Sequence, residues 1–556
     1  MAQKKSIQPG ELLPEPLIVR GHLVTMDERQ PELDDGAMYV DRDGVIQAVQ
    51  PAGDKAPPGF EDANAVEADG FVFPGLIDLH NHVAYNCLPL WSSAARPPDK
   101  PWDTRDQWPG ASDYKGDISL PTNAICHADG KAVLKYVETK AVVGGVTGIQ
   151  GSAKTKGATF EGWMVRNVEY DTFRTGKRTV NQSVRPIADK AGWKQVRKCV
   201  DQPGFSEAKQ REDVGNAFLY HLCEGKPEGE DLERFLKDYR GMRDHGCLAG
   251  RFVGIHSTAL RGQELKEWHR STKEAALVWS PFSNLWLYGD TTDVVAAREA
   301  GVTVCLGADW SPSGSRNLLG ELKVADLYNG RLKKADRFTD EALCRMATSN
   351  PADALGWDRR LGRLKKGLHA DFVIVSRRAG GPYRALIEST EGDVELVAIN
   401  GYPMYGTREL MKAGAAVNPE PVNVGRFTRL ATLRDERIQG ADMSWEDVLE
   451  SLERIREDPP KGLDAAVARE RKKHQEHLKL KADKHFDDPE VHEDRHDLEA
   501  GSIPALDGLA HDGDWFDEVD RRGYHDGILC GLRGYYPHVR KGRFKRPAST
   551  PAARPA

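Results

Sequence analysis

The chain has 556 residues, 39% of them hydrophobic and 29% charged, with a formal net charge of −7. That length exceeds one compact core, so at least two domains are expected. The mild negative charge argues against a nucleic-acid binder, and no apolar run reaches membrane-spanning length. The opening Met1-Ala2-Gln3-Lys4-Lys5 leads into Pro9-Gly10 without an apolar signal core, and the eight cysteines form no Cys-x-x-Cys pair. Both features predict a cytoplasmic protein with free thiols.

Short strand-like runs open the chain. Leu17 to Met26, Ala37 to Val40 and Val45 to Val49 are three, the last two joined by the turn signal Asp41-Arg42-Asp43-Gly44. Residues 15–70 are therefore expected to form the first part of a small β domain. Phe71 to His82 reads as one apolar strand ending in His80-Asn81-His82. Residues i and i+2 of a strand share a face, so the two imidazoles project together and can begin a divalent metal site. Residues 83–134 make a long connection rich in aromatics, including Trp91, Trp102, Trp108 and Tyr114. Long ordered connections often serve as lids or pocket walls.

Strand-like runs then recur at 145–150, 163–168, 184–188, 217–221, 252–256, 276–280 and 302–309, most with helix-length segments between them. With 71–82 they number eight, which predicts a (β/α)8 TIM barrel over residues 71–364. Pro186 weakens the run 184–188 as a central strand. Further runs at 371–375 and 394–401 predict that residues 365–425 complete the small β domain, a composite β-sandwich built from both ends of the chain. Residues 426–540 read as a charged helical extension and 541–556 as a disordered tail.

Several predicted strand ends carry chemistry-bearing residues: His80 and His82, His221, His256 and Asp309. In a barrel these ends converge on one face. A lone histidine after an apolar run is usually a satisfied core residue; the joint pattern in one order is what carries weight. Trp91, Trp279 and Trp310, with Gln150 at the end of the second run, are candidate substrate-binding residues, because indole faces suit flat ligands.

These motifs together resemble the amidohydrolase superfamily, in its cytosine deaminase and triazine hydrolase-like branch. The resemblance rests on Phe73-Pro74-Gly75-Leu76-Ile77-Asp78-Leu79-His80-Asn81-His82, His221-Leu222-Cys223-Glu224, His256 with Leu260, Ser280-Pro281-Phe282-Ser283-Asn284-Leu285 and Leu306-Gly307-Ala308-Asp309. It covers about residues 17 to 405 and leaves the extension unmatched. It implies that His80, His82, His221 and Asp309 hold one divalent metal per chain, zinc first, with iron or manganese as alternatives. It implies that Asp309 accepts a proton from an activated water, that Glu224 carries a proton to the leaving nitrogen, and that His256 hydrogen-bonds the water or polarises the substrate. The implied activity is hydrolysis of a non-peptide C–N bond of a small planar substrate, by deamination of an aminated heterocycle or opening of a cyclic amide. Other leaving groups, such as chloride, and a non-catalytic scaffold remain alternatives. A homo-oligomer is expected, with no nucleic-acid or membrane partner. Two departures bear on the substrate and metal count. Trp279-Ser280-Pro281 stands where branch members often have His-x-Pro, and Lys190 is the one candidate for a metal-bridging lysine.

Overall fold

The computed structural model describes residues 15–94, 96, 100–151, 163–173, 179–184, 186–200, 216–229, 231–434, 442–460, 502–521 and 527–539. The first strands are β1 (Leu17–Val24), β2 (Glu32–Val40), β3 (Ile46–Pro51) and β4 (Asn64–Pro74). They are followed by β5 (Leu76–Asp78), β6 (Val146–Ile149), β7 (Arg166–Asn167) and β8 (Val180–Ser183). Next come β9 (Ala217–Leu222), β10 (Arg251–His256), β11 (Ala276–Trp279) and β12 (Thr303–Leu306). The last five are β13 (Phe372–Val375), β14 (Val394–Ile399), β15 (Tyr402–Gly406), β16 (Glu420–Val424) and β17 (Phe427–Ala431).

Both ends of this region share one nine-stranded sheet, in the order β16-β17-β15-β14-β13-β4-β1-β2-β3. The two ends meet where β4 runs parallel to β1 and antiparallel to β13, with Val72 opposite Leu23 on one side and Ile374 on the other. The sheet continues past residue 425, because β17 pairs with β16 from Val424↔Phe427 to Glu420↔Ala431. The expectation of one strand from 71 to 82 is corrected here. Phe71 to Pro74 belong to β4, and the chain restarts as β5, paired in parallel with β6. Gly75 makes the break: a Cβ there would lie 2.2 Å from the Thr147 hydroxyl oxygen. An unbroken apolar run conceals such a change of sheet, since both halves are buried.

The remaining strands form two parallel sheets, β12-β11-β10-β9-β8 and β5-β6-β7. A parallel bridge between Asn81 and Asp309 joins the ends of the two sheets. Side chains of alternate residues (Ile77, Val180, Leu219, Val253, Ile255, Val278 and Cys305) meet in one interior cluster, floored by Ala352, Leu355, Trp357 and Leu361. Their neighbours in sequence (Phe218, Tyr220, Phe252, Leu277, Trp279 and Leu306) join a separate cluster shared with the surrounding helices. That two-residue period sorts the strands' side chains between the interior and the outer layer. The fourth predicted strand is misplaced. Val180–Ser183 pairs with β9, and 184–188 lies beyond it. Pro186 has no N–H for a ladder, while polar Asn181 and Gln182 hid the real strand from an apolar search.

Beyond β17, the helix Trp445–Glu457 lies against the helix Gly130–Val143, with Tyr136 and Trp445 stacked 5.6 Å apart. The helix Gly513–Asp520 and the turn Leu529–Tyr535 bury Trp515, Phe516, Leu529 and Tyr536 against Phe282, Trp286 and Val324. The predicted charged stretch 464–500 and the tail 541–556 lie outside the described residues. No described helix is long and apolar enough to cross a membrane.

Candidate active site

The ends of β5, β9, β10 and β12 converge. His80 Nε2 lies 3.1 Å from His221 Nε2 and 3.3 Å from Asp309 Oδ1, and His82 Nε2 lies 3.5 Å from the same carboxylate oxygen. Ligand atoms of His80, His82 and Asp309 fall within 4.8 Å of one another, as do those of His80, His221 and His256. Asp78 knits the two ligand-bearing ends together: its carboxylate accepts the backbone N–H groups of His80 at 3.2 Å and Ala308 at 3.1 Å. Asp309 itself sits in left-handed backbone at φ +64°. Such a conformation costs a non-glycine residue roughly 1–3 kcal/mol and persists where the surroundings enforce it.

The donor set fits a divalent cation. Burial pushes His80 and His221 well below the ordinary imidazole value and His82 to about 4, so all three are neutral lone-pair donors. Ser280 Oγ, 2.9 Å from His80 Nδ1, can accept a hydrogen bond from Nδ1–H, which keeps the proton there and leaves Nε2 free to ligate. Burial pushes Asp309 well above the carboxylate range, and among the described residues no lysine or arginine pairs with it. A buried carboxylate facing neutral imidazoles lacks the counter-charge that a divalent ion supplies. Lys190 opens the helix Lys190–Val200 and is exposed, outside this cluster.

Glu224 and His256 stand beside these donors. His256 belongs by strand parity to the outer face with Phe252, but left-handed backbone at His256 (φ +62°) and Ser257 (φ +54°) turns its ring inward. Asn284 Nδ2 donates to His256 Nδ1 at 2.9 Å, so the neutral ring carries its proton on Nε2, 3.7 Å from Glu224 Oε1. The Tyr288 hydroxyl donates to Glu224 Oε1 at 2.7 Å, and Arg105 pairs with Oε2 at 3.2 Å. Burial alone would raise this carboxyl, but His256, Arg105 and Tyr288 reverse that and hold it below its ordinary value. An ionised carboxylate is able to accept a proton.

The four candidate substrate-binding residues separate. Trp310 lies by the donors, its ring 6.1 Å from His82, 4.9 Å from Tyr85 and 5.5 Å from Trp108. Gln150 borders a recess beside His82, accepting the Asn81 N–H at 2.9 Å and donating to Glu169 at 2.6 Å. Trp91 stands one layer back and touches Tyr114, which in turn meets Trp108 and Trp310. Trp279 is not brought to the site: its ring packs on Tyr328 and its indole N–H donates to Thr291 at 2.8 Å. Strand parity is the reason, since Val278 and Ser280 take the inward positions.

Ser280, Asn284 and Tyr288 were within reach of the sequence. Ser280 shares a strand face with Val278, and Tyr288 follows Asn284 by four residues on the helix Pro281–Tyr288, hence on the same face. Arg105 carried no such signal, because its segment follows no period.

Residues 206–404 match the amidohydrolase family. The 5-methylthioadenosine/S-adenosylhomocysteine deaminase of Halobacterium salinarum is 30% identical over 375 residues, 61% of this chain and 80% of that protein. The guanine deaminase of Escherichia coli is 30% identical over 168 residues, 29% of this chain and 36% of that protein. The zinc-complexed atrazine chlorohydrolase of Arthrobacter aurescens has the same fold at a TM-score of 0.50, with 20% identity over 70% of this chain and 95% of that one. Fold and relatives together define a hydrolase of carbon–nitrogen bonds other than peptide bonds. The chain belongs to the amidohydrolase family.

Proposed function

We propose that the chain deaminates a flat aminated heterocycle, with one zinc ion per chain held by His80, His82, His221 and Asp309. The observation that carries this reading is Glu224, an ionised carboxylate gripped on both oxygens at the edge of a neutral, buried donor set. Bound zinc supplies Lewis acidity and makes water acidic enough to react near neutral pH. Asp309 accepts one proton of the attacking water. His256, its Nε2–H directed towards Glu224, orients that water or the group under attack. Glu224, unprotonated at rest, takes the water's other proton and passes it to the departing nitrogen, while the proton held by Asp309 returns to a ring nitrogen, so water's oxygen becomes a ring carbonyl and ammonia leaves. Trp310, Trp108 and Tyr85 offer aromatic faces to a planar ring and exclude bulk water. The deaminase relatives point to an aminopurine as the ring.

The same reading takes the two parallel sheets as one closed eight-stranded barrel, flanked by the composite β domain and a C-terminal extension, in a cytoplasmic homo-oligomer. The test is turnover by zinc-loaded protein of 5-methylthioadenosine, guanine and a cyclic amide. Ammonia release from an aminopurine is expected. Ring opening without ammonia, or turnover of none of the three, overturns deamination.

A further inference from the structure

Arg105 reaches the site on a turn between a bridge at Thr104 and the short 3-10 helix Trp108–Gly110, and several contacts of that segment pin the turn in place. The long connection after β5 crosses over the end of β9, where Thr104 forms an antiparallel bridge with Gly225, the residue after Glu224. Lys226 N–H donates to Asp103 O at 2.8 Å, and Trp102 N–H to Leu287 O at 2.7 Å. Ion pairs Lys226–Asp103 at 2.8 Å and Arg234–Asp106 hold its flanks. The crossing needs glycine at 225. With φ +155°, a Cβ there would lie 2.8 Å from Asp103 O and 2.2 Å from the Phe235 ring.

We propose that Arg105 is a positioning residue that fixes the orientation of the Glu224 carboxylate, and that segment 102–110 is built to deliver it; this rests on the reading of Glu224 as the proton carrier. The carboxylate's two oxygens are divided. Oε2 takes Arg105 at 3.2 Å, while Oε1 takes the Tyr288 hydroxyl at 2.7 Å and faces His256 at 3.7 Å. The second grip depends on the same segment, because the Trp108 indole N–H donates to Tyr288 Oη at 3.2 Å. A carboxylate on a flexible stem is thereby locked about its last torsion, with one oxygen always turned toward His256. Pre-set orientation of a proton-transfer group is where positioning contributes most to rate. Arg105 spends its charge on Glu224, which separates this role from that of a clamp for an anionic substrate.

The test is a double-mutant cycle on the zinc-loaded full chain, with 5-methylthioadenosine and guanine as probes. Arg105→Ala should lower kcat about 10- to 100-fold, a part of what a positioned proton-transfer group supplies, with KM within about twofold and metal content unchanged. Arg105→Lys should recover part of the loss. In a Glu224→Gln background, Arg105→Ala should cost less than about twofold more, because the group it orients is gone. A loss carried by KM, or a full additional loss in that background, overturns the proposal. If wild-type protein turns over neither probe, the deamination reading fails and the grip is judged by melting temperature in the same four proteins. The two single-variant decreases should then sum to clearly more than the decrease in the double variant, and additive decreases overturn the positioning role.

Discussion

Asp507, in the C-terminal extension, gives the sharpest test of how the regions depend on one another. Its carboxylate is fully buried, pairs with Lys140 from the helix Gly130–Val143, and receives Arg316 at 2.7 Å. Arg316 ends the loop that begins directly after Asp309 and carries Trp310. Lys140 also donates to Asn86 O at 3.1 Å and Ser311 Oγ at 2.6 Å, tying that loop to the segment after His82. Asp507→Asn removes the anion that two buried cations share. Breaking a buried pair from one side costs about 3–5 kcal/mol. Arg316 keeps Asp512 at 2.8 Å and Lys140 keeps Asn86 and Ser311, so the lower end applies. At roughly 2 °C per kcal/mol for a chain of this size, melting should fall by about 6 °C. Asp512→Asn is the control: its side chain is 47% exposed, and the amide keeps the cap on Trp515 N–H, so the cost should stay below about 1 kcal/mol. Calorimetry of the two variants reads the difference. Burial alone would raise Asp507, but Arg316 and Lys140 hold it below its ordinary 3.8. Its contribution is therefore complete above pH 3.8 and is lost as pH falls through the lower folded value. A melting temperature for Asp507→Asn within about 1 °C of wild type would refute the argument that this extension anchors the loop.

Metal analysis of purified protein should find about one divalent ion per chain, and His80→Ala should lose most of it, as expected for a mononuclear site; full occupancy in that variant would remove His80 from the ligands. Glu224→Gln should keep the metal and the fold yet lose about 10²-fold or more in kcat, and near-normal turnover would assign the proton to another group. Trp310→Ala should lower kcat/KM by about 10- to 100-fold with metal retained, whereas Trp279→Phe should alter stability alone; equal kinetic effects would contradict their opposite placement. The acid limb of stability has a second source in Glu391. Burial raises its carboxyl, but His511 and Asn317 outweigh that and hold it at about 2 against an ordinary 4.5. Its contribution is lost as pH falls from 4.5 toward 2, so Glu391→Gln should flatten the melting curve's pH dependence in that window.

Local pattern carried much of this protein. Apolar runs closed by His80, His221 or Asp309 are visible because a buried parallel strand must be apolar until its end, where the chain meets solvent and chemistry. The hairpin at Asp41-Arg42-Asp43-Gly44 was legible for a similar reason: turn residues answer to their own backbone, and Gly44 adopts φ +74°. Strand parity also held information, for it puts Ser280 inward and Trp279 outward, and only attention to the tryptophan as a residue type obscured it.

What the tertiary structure decided are the matters that depend on contacts between distant parts of the chain. Whether Phe71 to Pro74 joins β5 or the nine-stranded sheet is settled by β1 and β13, which lie far apart in sequence. His256 is turned to the site by a left-handed backbone that non-glycine residues seldom adopt, and the surrounding strand ends hold it there. Arg105 meets Glu224 across 119 positions through a segment of no period, and Asp507 meets Lys140 across 367. No local propensity encodes such pairings, because their free energy exists only once burial has made an unpaired charge costly.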